Sequence, residues 1–228
     1  MDYLNFYSTN KTFIVQLDTR LTKIKDYVIS TRPSNLLDIG CGNGFLLNEI
    51  SKEIECNLYG IDAFDQESKV FEYLKSDITQ SLPFDDGTFD VIVLGEVIEH
   101  LPDPDFVLDE IYRVLKHSGK LIVSTPNLAS WANRILLMFG IQPLFTETSS
   151  RIKLGRRFKF LGQGSKVEGH LKIFTSRSLK EIVSNCNFKI NNLVGAPFFF
   201  PFPISILDNL FSRIPSLSSG LIIFAEKP

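Results

Sequence analysis

Apolar residues recur at helical spacing over residues 10–30, at Phe13, Ile14, Leu17, Leu21, Ile24, Tyr27 and Val28, and Pro33 ends that helix. The pattern then changes. Residues 35–39 read as a short buried strand, 56–61 as a second ending at Asp62, and 70–75 as a third. A turn at 83–87 leads to a fourth strand at 89–94, and a fifth lies at 120–124. The helical period returns between strands, at 45–51 and again at 104–116. There Asp103 supplies the N-cap and Phe106, Val107, Ile111, Val114 and Leu115 face inward. Strands alternating with helices predict βαβ units, right-handed crossovers and a mostly parallel sheet. After Asn127 the pattern loosens. Residues 128–139 read as an amphipathic helix, and 146–166 are rich in Ser, Gly, Lys and Arg without a period. A helix opens at Thr175 and runs to about Cys186, and strands at 188–194 and 220–225 complete the chain. No repeat and no second domain is visible. The segments are an N-terminal helix (1–33), a core (34–126), an insertion after the fifth strand read as a lid (127–169) and a C-terminal part of the sheet (170–228).

Composition narrows the class. The 228 residues suffice for one α/β domain with a small appendage, and 44% hydrophobic with 22% charged residues is ordinary for a soluble protein. A formal charge of −2 gives no global drive toward nucleic acid or an anionic membrane. Cys41, Cys56 and Cys186 are scattered without metal spacing, which points to a reducing compartment and no disulfide framework. The N-terminus lacks a signal-peptide pattern and no apolar run is long enough to span a bilayer, so a cytoplasmic protein is expected. The 20 Phe are unusual, and Phe198, Phe199, Phe200 and Phe202 crowd together among prolines. A buried aromatic cluster under a cap is the first reading. A surface for a membrane or a greasy substrate is the alternative.

The most informative stretch is Leu36-Leu37-Asp38-Ile39-Gly40-Cys41-Gly42-Asn43-Gly44. It reads as strand, glycine turn and helix, with glycine where backbone must approach a ligand closely. The spacing is G-x-G-x-G, not the G-x-G-x-x-G of dinucleotide-binding folds. With an acid two residues ahead of the first glycine, it resembles motif I of class I S-adenosylmethionine-dependent methyltransferases. Further stretches match that superfamily: Asp77 to Phe84, Asp86 to Asp90, Glu96 to Leu101, Ile111 to Lys116, Leu121 to Asn127, and His170 to Thr175 with Asn187-Phe188. The similarity is strong over 34–126 and moderate over 169–194. It lies with the small-molecule branch that includes ubiquinone-biosynthesis O-methyltransferases and enzymes of polysaccharide and lipid pathways.

The resemblance implies a Rossmann-like α/β fold with a seven-stranded, mostly parallel sheet. Its expected order is 3-2-1-4-5-7-6, with strand seven antiparallel and the ligand crevice at the carboxyl ends of the strands. It implies S-adenosylmethionine as cofactor and methyl transfer to oxygen, nitrogen or carbon of a small molecule. Asp38, Gly40, Cys41, Gly42 and Gly44 would line the cofactor, whose methionine carboxylate and ribose lie against exposed N–H groups of the turn. Asp62 would accept the ribose hydroxyls, Asp77 with Ile78 would hold the adenine, and Glu96 completes the set. Each acid alone reads as a strand-end or turn residue; their joint order carries the assignment. Two departures stand out. Only about seven residues separate Asp62 from the third strand, so a covering helix is missing. The turn before strand five is Lys116-His117-Ser118-Gly119 rather than Lys-Pro-Gly-Gly.

Glu96, Glu99 and His100 form an E-x-x-E-H signature that holds a divalent cation in some related enzymes, Mg²⁺ or a softer metal. The same residues line the active-site mouth or cap a helix in others. His100 is therefore open between general base or substrate-orienting residue, metal ligand and structural residue. Arg151, Lys153, Arg156, Arg157, Lys159, Lys166 and Lys172 stand against Glu168 alone. They read either as a solvated loop or as a clamp for an anionic acceptor such as a nucleotide-sugar, phospholipid or acidic quinone precursor. No RNA-binding motif accompanies them, which disfavours nucleic acid. The expected reaction is O-methylation of an anionic or amphiphilic metabolite, a sugar, lipid or quinone precursor. The rival is a non-catalytic S-adenosylmethionine-binding partner or sensor subunit. Peripheral membrane contact stays open.

Overall fold

The structure is a computed structural model that describes residues 16–65, 68, 70–155, 167–198 and 200–228. Phe13, Ile14, Arg156, Arg157, Lys159, Lys166 and Phe199 lie outside the described residues. Helix α1 spans Thr19–Thr31 behind an Asp18 cap that accepts the Leu21 amide. It ends at Arg32, left-handed at φ 47°, so Leu17 precedes the helix that its spacing placed it in. There follow β1 (Asn35–Ile39), α2 (Phe45–Ser51), β2 (Asn57–Asp62), β3 (Glu72–Lys75) and β4 (Phe89–Gly95). A 3-10 turn at Ile98–His100 leads to α3 (Pro104–Val114) and β5 (Leu115–Pro126). The remainder is α4 (Trp131–Met138), α5 (Ser176–Asn185), β6 (Lys189–Ala196), α6 (Ile204–Phe211) and β7 (Gly220–Glu226).

The strands form one seven-stranded sheet in the order β3-β2-β1-β4-β5-β7-β6, the expected order. The first five pair in parallel, and β7 runs antiparallel between β5 and β6. The chain turns outward in opposite directions after β1 and β4, which opens a crevice at their carboxyl ends. Side chains alternate across the sheet. Leu36, Val91, Val93, Ile122 and Ile222 pack with α1 and α2 on one face. Leu37, Ile39, Ile92, Leu94 and Val123 pack with α3 and α5 on the other. Asp38, between Leu37 and Ile39, therefore points toward the α1 side.

Two elements differ from the expectation. The fourth-strand crossover helix stops at Val114. Leu115 pairs with Phe89, and a bulge follows before Lys120 joins Val91, so 115–119 belong to the sheet. Helix α6 was not foreseen: the sequence pattern assigns no element between the strands at 188–194 and 220–225.

The short link from Asp62 to β3 carries no helix among its described residues. Phe71, buried at 6% exposure, fills that place and packs with the α1 and α2 face. Its ring lies so close to β2 that a Cβ on Gly60 would meet it, and the Cys41 Sγ, at 2.8 Å. One aromatic ring thus replaces a covering helix, and it fits only because residue 60 has no side chain. Gly60→Ala is expected to cost ~1–3 kcal/mol in urea unfolding through overpacking. Adding Phe71→Leu should recover part of that loss, whereas independent sites would simply add their costs.

Candidate active site

The crevice is built from the turn upward. The amides of Gly40 and Cys41 donate to the Ile61 carbonyl at 2.8 and 3.2 Å, and that of Gly42 to Asp62 Oδ2 at 2.8 Å. The Gly44 amide turns back to the Cys41 carbonyl at 2.8 Å. The first three of these N–H groups serve the junction of β1 with β2 and the fourth closes the turn, which corrects the expectation that they are held out for an anion. What the turn offers instead is bare backbone. Gly42, at φ +55°, has nothing within 4 Å of where a Cβ would stand. A ligand can rest directly on it. Asp62 is buried, and its other oxygen accepts the Ala63 amide at 2.7 Å.

A cation missed by the sequence reading sits over this crevice. Arg20 donates to Ser124 Oγ at 3.3 Å and lies 3.8 Å from Glu96 and 3.9 Å from Asp18. The signal was present: Arg20 interrupts the apolar stripe of α1, three residues after Leu17 and four before Ile24. Asp38, nearly buried, is pushed up to about 7 by burial first and then by Asp62, with Arg20 opposing both.

Beyond β4, Glu96 adopts a left-handed conformation at φ 57°, uncommon for a residue other than glycine. It accepts the Ser124 hydroxyl at 3.0 Å. Glu99 is fully buried. Its Oε2 accepts Thr125 Oγ1 at 3.0 Å, while its Oε1 has no hydrogen-bond partner. Burial, and then Glu96, push its carboxyl well above the usual range. The backbone carbonyl of Glu99 accepts the amides of Leu171 and Lys172 at 2.8 and 3.0 Å, which draws the segment carrying His170 onto the site. The Glu147 carboxylate accepts the amides of Glu168 and Gly169 and steadies the same segment.

His100 and His170 face each other with ring centroids 4.8 Å apart. His100 Nδ1 meets the Gly169 carbonyl at 3.2 Å and His170 Nδ1 meets that of Phe145 at 2.7 Å. A carbonyl only accepts, so each Nδ1 carries a proton, and His170 Nε2 lies 3.6 Å from a Glu168 carboxylate oxygen. Burial, then His170, push His100 down to about 4, so it is neutral near neutral pH. One donor atom from each of Glu99, His100 and His170 lies within 4.8 Å of the others. The orphaned Glu99 Oε1 and two imidazoles anchored through Nδ1 fit a divalent ion. Two nitrogens with a carboxylate suit Zn²⁺, Mn²⁺ or Fe²⁺ better than Mg²⁺. Glu96 turns to Ser124 and Arg20 instead, so the triad read from sequence becomes Glu99, His100 and His170.

The remaining expected residues have these surroundings. Asp77 Oδ1 accepts the amide and hydroxyl of Thr79 at 3.0 and 2.7 Å, an Asx turn, and Ile78 packs on the core. Of the described bases in the lid, Lys153 is buried against Glu168 and Glu147, and Lys172 donates to the Pro102 carbonyl. The anion clamp loses both. The Phe cluster is split: Phe198 packs on Phe145, whereas Phe202 is exposed.

Comparison with known proteins agrees with this geometry. A family model described as a methyltransferase domain matches residues 14–193. The chain belongs to that family, in its class I S-adenosylmethionine-dependent form. It is 36% identical over 118 residues to a ubiquinone biosynthesis O-methyltransferase of Pelagibacter ubique, spanning 46% of this chain and 49% of that protein. It is 34% identical over 107 residues to a sterol 24-C-methyltransferase of Schizosaccharomyces pombe, spanning 41% and 28%. The matches thus cover half or less of these relatives' length. A solved S-adenosylmethionine-dependent methyltransferase from Methanosarcina mazei has the same fold, with TM-score 0.61, 19% identity and coverage of 93% and 99%.

The raised Asp38 carboxyl has a measurable consequence. The folded chain holds that proton between pH 3.8 and about 7 while the unfolded chain releases it, so this residue's contribution to stability falls as pH rises through that window. Asp38→Asn is expected to be more stable than wild type by ~1–4 kcal/mol at pH 8, and by much less near pH 4.5, in urea titrations at both pH values.

Proposed function

We propose that the chain transfers the methyl group of S-adenosylmethionine to a small amphiphilic acceptor. The observation that carries this reading is the convergence of Arg20, Asp38, Asp62 and the open backbone of Gly42 at the β1–β4 switch point. In this reading Arg20 meets the donor's carboxylate, Asp38 and Glu96 its ammonium, and Asp62 the ribose hydroxyls. Gly40, Cys41 and Gly44 shape the floor, and Asp77 and Ile78 border the adenine. The methyl carbon leaves the sulfonium, whose bonding pair returns to sulfur as a thioether, while the acceptor atom supplies the new bond. Alignment and exclusion of water do most of the work, because the sulfonium is already a good electrophile.

The acceptor enters beside His100. Phe145, packed near His170 and Phe198, supplies an apolar wall, which supports an acceptor with an aromatic or aliphatic part. His100 Nε2 would orient an acceptor hydroxyl; with its pKa near 4 it is a weak proton acceptor at neutral pH. Were a divalent ion held instead by Glu99, His100 and His170, His100 Nε2 would be one of its ligands and the ion itself would acidify the hydroxyl, whose proton would leave to solvent. The acceptor as a sugar, lipid or quinone precursor, and oxygen as its nucleophilic atom, belong to this proposal. No helix among the described residues is long and apolar enough to cross a membrane.

Calorimetry with S-adenosylmethionine tests the donor site. Wild type should bind, and Asp62→Ala and Arg20→Ala should each weaken binding roughly tenfold to a hundredfold, the loss of one charge-assisted contact. Folded wild type that does not bind overturns the reading. Binding without turnover across hydroxyl acceptors favours a sensor subunit. Separately, Zn²⁺ or Mn²⁺ titrated into apoprotein should bind with a stoichiometry of about one, and Glu99→Gln should abolish it. Unchanged binding by that variant excludes the three-residue metal site.

A further inference from the structure

Helix α6 is turned inside out. Its one buried residue is Asp208, fully enclosed, while Ile206, Leu207 and Leu210 face outward at 58%, 47% and 54% exposure. Asp208 is held there by three donors. Trp131 Nε1 donates at 2.7 Å, the Phe198 amide at 2.6 Å, and the Ser219 hydroxyl also donates. A carboxylate with three donors fixes the rotation of the helix, so its apolar side cannot turn inward. Phe202 before the helix is 81% exposed, and Ile214 after it is exposed as well.

The face continues onto α4. Trp131 stacks on Phe211 with ring centroids 5.5 Å apart, which joins the two helices. Ile135 and Met138, on the same stripe of α4 as Trp131, are exposed, as is Phe139. Arg134 reaches across to the Ser216 carbonyl at 3.3 Å, which places its guanidinium on the segment that follows α6 and also carries Arg213. Charge decides what fits this surface. Residues 127–145 and 197–219 contain three ionisable charges, Arg134, Arg213 and Asp208, and the acid is the buried one. The outward face therefore carries large apolar side chains and only positive charge. A second copy of the chain would set arginine against arginine across a two-fold axis. Anionic headgroups over an acyl boundary match both properties, and an eight-residue helix is too short to span but suited to lie flat.

We infer that the α4–α6 face docks on an anionic lipid bilayer, with Phe202, Ile206, Leu210 and Met138 entering the acyl boundary and Arg134 and Arg213 at the phosphates. The inference does not depend on the proposed methyl transfer.

Flotation of the full chain with vesicles tests it, using phosphatidylcholine alone and with about one-third phosphatidylglycerol. Wild type should float with the anionic vesicles. Ile206→Glu/Leu210→Glu should lose that association roughly tenfold or more. Arg134→Gln/Arg213→Gln should lose the preference for anionic lipid. These side chains are exposed, and circular dichroism checks the fold; Phe202→Ser serves if the glutamate pair unfolds. Trp131, the single tryptophan, gives a second readout: quenching by brominated lipid in wild type and not in the glutamate pair. Failure of wild type to float, equal flotation of the folded variants, or a dimer by light scattering that the glutamate pair dissolves would each overturn the inference.

Discussion

One guanidinium holds the crevice in register. Arg20 lies among four carboxylates supplied by separate pieces of chain: Asp18 at the cap of α1, Asp38 at the end of β1, Glu96 after β4 and Glu99 in the 3-10 turn. Burying acids this close together is costly unless a cation offsets the repulsion. Arg20 does so for both Asp38 and Glu99, and its bond to Ser124 ties it to β5. The end of the sheet is therefore tied to α1 by these polar contacts in addition to the apolar stripe of Leu21, Ile24 and Val28.

That arrangement explains how two half-sites share one set of strands. On the α1 side, the glycine turn, Asp38 and Asp62 form a surface of bare backbone and acids. On the other side, the 3-10 turn presents Glu99 and His100, and the Glu99 carbonyl draws in the chain that carries His170. Ser124 and Thr125, adjacent on β5, donate to Glu96 and Glu99 respectively, so alternation along a single strand serves both sides.

Much of this was legible in the sequence, for physical reasons. The glycine turn could be read because positive φ and close approach demand glycine at fixed positions. The central strands β1, β4, β5 and β7 could be read because burial on both faces demands continuous apolar runs. Asp38 and Asp62 stood out as acids at the ends of such runs. The rest depends on contacts between distant segments. Arg20 looked like one more charge on a surface helix until the sheet placed it over the crevice. His170 is brought to His100 by amides that meet the Glu99 carbonyl and the Glu147 carboxylate, which no spacing encodes. The bases of the lid looked like a clamp because sequence does not show that Lys153 is buried against two acids. Helix α6 escaped because it hides a carboxylate and displays Ile206, Leu207 and Leu210, the reverse of the pattern that helical periodicity assumes.

The crowding of acids around one cation also bears on how a catalytic cycle would end. Burial and mutual repulsion hold the Asp38 and Glu99 carboxyls toward their protonated forms, so a sulfonium donor bound beside them would favour their ionised forms, and transfer of its methyl would remove that positive charge while leaving the rest of the molecule in place. The acids around Arg20 would thus hold the spent thioether less firmly than the donor it came from. The electrostatics that anchor α1 to the sheet would favour exchange of product for fresh donor, and keep the site from being choked by its own by-product.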